Sequence, residues 1–185
     1  ALKSQINPHF IFNSLNNIRA LVVEDAEKAR EMITHLSDLL RYSIQFNSKA
    51  KVSIEAELEI VTNYLNLESI QFEDRLTYSF DVHKDTLEHK IPPMAIQILV
   101  ENAIKHGISN LPKGGMIRIN TTLVDDSLVV EVVNSGQLQT KTSGTGIGIK
   151  NVSERLSLLF GQLSSFSLEN SNDNTVSAKF IVPLN

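Results

Sequence analysis

Two segments contain the residue types and spacings that could do chemistry: Glu101-Asn102-Ala103-Ile104-Lys105-His106-Gly107 and, later in the chain, Gly144-Thr145-Gly146-Ile147-Gly148-Ile149-Lys150-Asn151. An Asn side-chain oxygen is a hard ligand suited to Mg2+, and a Lys ammonium in reach of phosphate oxygens supplies compensating charge. Three glycines at alternate positions permit positive φ and close backbone approach, so N–H groups that open a helix can point at phosphate. Together the segments suit a magnesium nucleoside triphosphate gripped from two sides. Taken singly, each has a plainer reading, as a solvated helix end and as a turn. A dinucleotide-binding site would need a strand directly before the glycines, whereas residues 137–143 are polar and loop-like.

A third segment, Gln5-Ile6-Asn7-Pro8-His9-Phe10-Ile11-Phe12-Asn13-Ser14-Leu15-Asn16, carries a potential nucleophile. A neutral imidazole attacks phosphorus at pH 7 with less activation than a Ser hydroxyl needs. Gln5, His9, Asn13 and Asn16 fall about one helical turn apart and form a polar stripe, which an ordinary wet helix face would also produce. Pro8 lacks an N–H and disfavours helix at Asn7, so a kink or loosening beside His9 is expected. His35, His83 and His89 read as packing or surface residues, and His106 as a helix-end residue in reach of phosphate.

The elements that must position these groups follow from periodicity. Ile11, Leu15, Ile18 and Val22 form one apolar stripe, and Ala29, Ile33, Leu36 and Leu40, widened by Met32 and Leu39, form another. The break at Glu24-Asp25 makes them an antiparallel hairpin whose leftover apolar surface calls for a second copy, as a homodimeric four-helix bundle. Residues 46–53 read as a hinge, residues 55–72 as helix and residues 76–82 as a strand. Pro92-Pro93 punctuates entry to a helix ending near His106. Residues 116–124 and 128–133 form a strand hairpin, residues 149–160 a helix capped by Gly161, and residues 163–168 and 176–182 two closing strands. The expected fold class is α+β: a helical hairpin over residues 1–50, then an α/β sandwich over residues 51–185 with a mixed, mostly antiparallel sheet.

The chain has 185 residues, 42% of them hydrophobic, enough for a substantial core. A net charge of -4 with scattered Lys and Arg argues against direct nucleic-acid binding, and the absence of cysteine removes disulfide and thiolate-zinc chemistry. No apolar run approaches the roughly 18 residues of a membrane span. The chain starts at Ala1 in what already reads as helix, so it is expected to be a portion of a longer protein.

Glu101 to Gly107 resembles the N box, and Gly144 to Asn151 followed by Glu154-Arg155-Leu156 resembles the second glycine box, of the GHKL (Bergerat) ATP-binding fold shared by sensor histidine kinases, gyrase-type ATPases and Hsp90. The Asn7-Pro8-His9-Phe10 segment is similar to the phosphoacceptor segment of LytS/YehU-type sensor kinases. This resemblance covers nearly the whole chain. It implies a homodimeric kinase that uses ATP and Mg2+, phosphorylates itself on His9, and passes the group to an Asp on the receiver domain of a response regulator, of LytTR output type. It further implies the cytoplasmic portion of a membrane sensor whose membrane segment lies upstream.

The resemblance makes Asn102 the Mg2+ ligand and puts Lys105, His106, Gly144, Gly146, Gly148 and Asn151 at the phosphates. Asn134, Gly136 and Thr175 fall at the adenine. Asn134 stands where the family carries an Asp, predicting weaker ATP binding by roughly 1 kcal/mol, and Asn174 replaces a Gly. Phe10 stands where many kinases carry an acid that orients the His ring, leaving Glu101 as a candidate for that role. Asn13 corresponds to a residue that positions water for dephosphorylating the regulator. Hydrolytic members place an acid one turn before the Asn, and Ile98 occupies that position; Glu101, adjacent to Asn102, is expected to point elsewhere around the helix. The alternative function is a pseudokinase or dimeric scaffold that binds nucleotide without catalysis.

Overall fold

The computed structural model describes residues 6–46, 48–138, 146–171 and 174–184. Helix α1 (Pro8–Glu24) begins at the proline: Asn7 is its N-cap and accepts the His9 backbone N–H at 3.0 Å. The expected kink is therefore a helix start. Pro at the first helical position lacks only an N–H that would have no intrahelical partner, and His9 sits in the first turn. Asp25 alone turns the chain, its N–H donating to the Leu21 carbonyl at 2.7 Å and its carboxylate accepting from Lys28 N–H at 3.1 Å at the start of α2 (Ala26–Phe46).

The buried face of α1 is Phe10, Ser14 and Ile18, rather than the full expected stripe: Leu15 and Val22 are 49% and 57% exposed. Helix α2 buries Ala29, Met32, Leu36, Leu39 and Tyr42 but leaves Ile33 exposed. It packs on α1 and on α3 (Ile54–Phe72), where His35 Nδ1 and Asn63 Oδ1 lie 2.8 Å apart and the Tyr42 hydroxyl donates to Glu57.

The segment expected as a hinge is partly tied down. Strand β1 (Val52–Ser53) pairs antiparallel with β3 (Lys90–Ile91), and Ser53 then caps α3 by accepting Ala56 N–H at 3.1 Å. A five-stranded sheet follows in the order β2-β4-β5-β7-β6, formed by β2 (Leu76–Val82), β4 (Gly115–Val124), β5 (Ser127–Ser135), β6 (Ser165–Ser171) and β7 (Thr175–Pro183). Only β2 and β4 run parallel. Alternate residues Ile117, Ile119, Val130, Val132, Ala178 and Phe180 point into the core. There they meet Ile96, Leu99 and Ala103 of α4 (Ala95–His106) and Val152 and Leu156 of α5 (Gly146–Phe160). Helix α5 starts at Gly146, three residues before the expected Ile149, and Gly161 after it takes φ +60 as a C-terminal stop.

Candidate active site

Helix α4 carries the first motif, and its N-terminus is held from outside. Met94, its N-cap, has φ 67 and offers no side-chain cap. The buried Glu57 of α3 acts instead: Oε2 accepts Met94 N–H and Oε1 accepts Gln97 N–H, both at 3.1 Å. A carboxylate there satisfies free N–H groups and sits at the positive end of the helix dipole. At the other end of α4, Gly107 lies against the Asn134 side chain of β5, where any Cβ would collide with that amide and with the Ala103 carbonyl.

Between α1, α3, α4 and the first turn of α5 lies an open cavity of about 400 Å³. The α1 side presents Asn7, His9, Phe10 and Asn13, and α4 presents Ile98, Glu101, Asn102, Lys105 and His106. Gly148 and Ile149 of α5 complete it, with Gly148 so close to α4 that a Cβ would lie 3.2 Å from Ile98 Cγ2. Among the described residues neither the Asn102 side chain nor the Lys105 ammonium has a hydrogen-bonding or ionic partner. An amide side chain and an ammonium facing one cavity, beside a helix N-terminus, are groups of the kind that could hold a magnesium triphosphate.

The structure brings His9, Asn13, Glu101, Asn102, Lys105, His106 and Gly148 together and gathers a second group elsewhere. Asn134 is 5% exposed and donates to the Ser135 carbonyl at 2.9 Å; Ser135 pairs with Thr175, and Gly136 N–H bonds the Asn174 carbonyl at 3.0 Å. Asn134, Gly136 and Thr175 thus meet at one sheet end, against which Gly107, the residue after cavity-lining His106, is packed. Asn151 does not line the cavity, although Gly148 and Ile149 of the same helix do. Gln5 and Gly144 lie outside the described residues, and nothing is described of the Gly146 surroundings beyond its place at the start of α5.

One expectation is corrected. Glu101 does not point away from the site: it lines the same cavity as Asn102 and Ile98 and accepts Gln97 Nε2 at 3.2 Å. The sequence reading also missed Tyr64 and Glu68 of α3, which stand opposite it. Glu57, Val61, Tyr64 and Glu68 follow one another at steps of four and three on the buried face. That recurrence of two acids at apolar spacing was the available signal.

Burial pushes the Glu68 carboxyl up to about 7, with the charge of Glu101 adding and a hydrogen bond from Tyr64 opposing. Burial likewise pushes Glu101 up to about 7, opposed by the Gln97 amide and reinforced by Glu57. Tyr64 is pushed up by burial and by Glu68, while burial and the Lys105 charge push His106 down. Between the ordinary 4.5 and about 7 the folded carboxyls hold more protons than the unfolded ones, so stability falls as pH rises through that window. The two carboxyls share part of this effect, so the loss for the pair is on the order of a few kcal/mol. Urea unfolding of the nucleotide-free protein is expected to give a lower free energy at pH 8 than at pH 5, and Glu68→Gln is expected to flatten the profile. A rise with pH would contradict the arrangement.

A helical hairpin feeding this sandwich, with an Asn-bearing helix and a glycine-led helix around one cavity, is the GHKL-type fold of histidine kinase catalytic domains. Residues 1–76 match the family model described as Histidine kinase. The chain is 36% identical over 183 residues to Sensor protein LytS of Enterococcus faecalis, spanning 92% of this chain and 31% of that protein. Over 189 residues it is 33% identical to Sensor histidine kinase/phosphatase LytS of Staphylococcus aureus, spanning 95% and 32%. The chain thus spans about a third of the length of the curated relatives it matches.

Among solved structures, the histidine kinase domain of the Erythrobacter litoralis EL346 blue-light activated kinase superposes with TM-score 0.56 at 13% identity, covering 97% of this chain and 87% of that one. The histidine kinase ThkA in complex with response regulator protein TrrA superposes with TM-score 0.51 at 14% identity, covering 96% and 59%. These two likenesses concern the fold. Along nearly its whole length the chain is thus similar to one portion of the LytS sensor histidine kinases.

Proposed function

We propose that this chain is the kinase core of a two-component sensor, taking the γ-phosphoryl group of Mg-ATP onto His9 and passing it to an Asp on the receiver domain of a response regulator, of LytTR output type. The observation that supports it is that His9 lines the same cavity as Asn102 and the unpartnered Lys105. Phosphoryl transfer is mostly positioning and charge neutralisation. Asn102 would hold Mg2+, which would supply charge neutralisation at the phosphates. Lys105, His106 and the backbone of Gly144, Gly146 and Gly148 would grip the phosphates, with Asn151 near them. Asn134, Gly136 and Thr175 would meet the adenine.

Asn13, exposed one turn above His9, would position water for the phosphatase reaction. Residues 1–50 would serve dimerisation and phosphate acceptance, and residues 51–185 nucleotide binding. Phe12, Leu15, Val22 and Val23 of α1, with Ile33 and Ile44 of α2, are exposed apolar residues that a second copy would cover in a four-helix bundle. Among the described residues no helix is long and apolar enough to cross a membrane. The family places such cores on the cytoplasmic side of a sensor whose membrane segment is separate.

The test is incubation with γ-labelled ATP and Mg2+. Acid-labile, alkali-stable label on the chain is the expected result. Nucleotide uptake without any label would overturn the kinase reading.

A further inference from the structure

His9 and the nucleotide motifs that line its cavity belong to one chain, and specific contacts hold them together. The Asn7 side chain fixes the backbone of His9 from the N-terminal side at 3.0 Å, with Pro8 holding φ between them. On the other side Phe10 is 9% exposed, its ring 4.8 Å from the Tyr64 ring of α3 and tilted by 41°. Tyr64 in turn hydrogen-bonds Glu68, which lines the cavity beside Glu101. Where other kinases follow the His with an acid, this chain has an aromatic ring, and the ring is seated on the helix that leads into the nucleotide domain. An aromatic pair of this kind contributes about 0.5–1.5 kcal/mol beyond its buried area and has a preferred geometry, which suits a locating contact.

We infer that His9 is phosphorylated by nucleotide held in its own chain, and that Phe10, seated on Tyr64, is the positioning residue that sets this intrachain pairing. The inference rests on the kinase reading and specifies its route. In the step, a bond forms from a ring nitrogen of His9 to the γ-phosphorus. The bond from that phosphorus to the bridging oxygen breaks, ADP leaves with the electron pair, and the displaced ring proton passes to solvent at the exposed edge of His9.

The experiment uses co-expressed, size-tagged chains in mixed assemblies. A His9→Gln chain keeps its nucleotide site, and an Asn102→Ala chain keeps its acceptor. Mixed together, they are expected to remain unlabelled by γ-labelled ATP. Unaltered chains paired with a doubly altered His9→Gln, Asn102→Ala chain are expected to keep full labelling per unaltered chain. Label on His9 of the Asn102→Ala chain in the mixture overturns the intrachain route. An unaltered protein that takes up no label sinks the kinase reading itself, so the two failures are separate.

Phe10→Leu keeps an apolar group but removes the ring. It is expected to lower kcat at least roughly tenfold with KM for ATP within about twofold, and Phe10→Tyr is expected to restore the rate. Combined with Tyr64→Leu, the loss is expected to be no greater than for either change alone, the mark of one shared contact. An unchanged kcat in Phe10→Leu, or losses that simply add in the double variant, overturns the positioning role.

Discussion

Replacing His9 by Gln is expected to reduce labelling by γ-labelled ATP to background, a loss of at least roughly 100-fold, because an amide offers no nucleophilic nitrogen at pH 7. The rest of the site is expected to survive. The Asn7 cap bonds the backbone N–H of residue 9, which Gln also possesses, and Phe10 keeps its seat on Tyr64. His9 is exposed, so the change in folding free energy is expected to stay within about 0.5 kcal/mol. Nucleotide affinity, which the proposed function assigns to α4 and α5, is expected to stay within about twofold. Calorimetry with Mg-ATP and label counting on the same sample separate the two quantities. Undiminished label in the variant would move the acceptor to another residue.

Glu57→Ala is expected to cost about 3–5 kcal/mol of stability, because it removes the acceptor that three buried donors share. Glu57 is fully buried and accepts the Tyr42 hydroxyl, Met94 N–H and Gln97 N–H from α2, the N-cap position and α4 respectively. Burial raises its carboxyl above the ordinary value and all of these hydrogen bonds oppose the rise. Glu57→Gln keeps one acceptor oxygen and is expected to lose roughly half as much. Urea unfolding measures both, and a loss below about 1 kcal/mol in Glu57→Ala would show that α4 does not depend on this cap. Since α4 carries Asn102 and Lys105, the Ala variant is also expected to bind Mg-ATP more weakly.

Most elements could be read in the sequence because they carry a strong period or a Gly or Pro boundary. The hairpin break at Asp25, the strand hairpin turning at Asp125-Asp126 and the helix opening at the glycine triplet are of this kind. The ladder of Val52–Ser53 with Lys90–Ile91 is too short to have a period, so the segment read as a free hinge. Leu15 and Val22 matched a helical stripe, but periodicity gives a face and not what covers it.

The site was visible in its motifs and hidden in its acids. Glu57 and Glu68 fall at apolar spacing with Val61 and Tyr64, and what lets acids stand there, partners in Tyr42 and Tyr64, is given only by the folded chain. Adjacency to Asn102 puts Glu101 off the site, yet neighbouring helix positions are only about 100° apart and a cavity bounded by four helices admits both.

The short ladder has a consequence for how far the molecule can swing. With Val52 already paired to Ile91, only five residues of chain separate the end of α2 from that ladder, a covalent reach of at most roughly 17 Å. So short a leash permits pivoting in place and denies a long excursion. Exchange between the nucleotide and the incoming regulator at His9 would then be a matter of rotating one face out and another in, with the turning point fixed at the foot of α2.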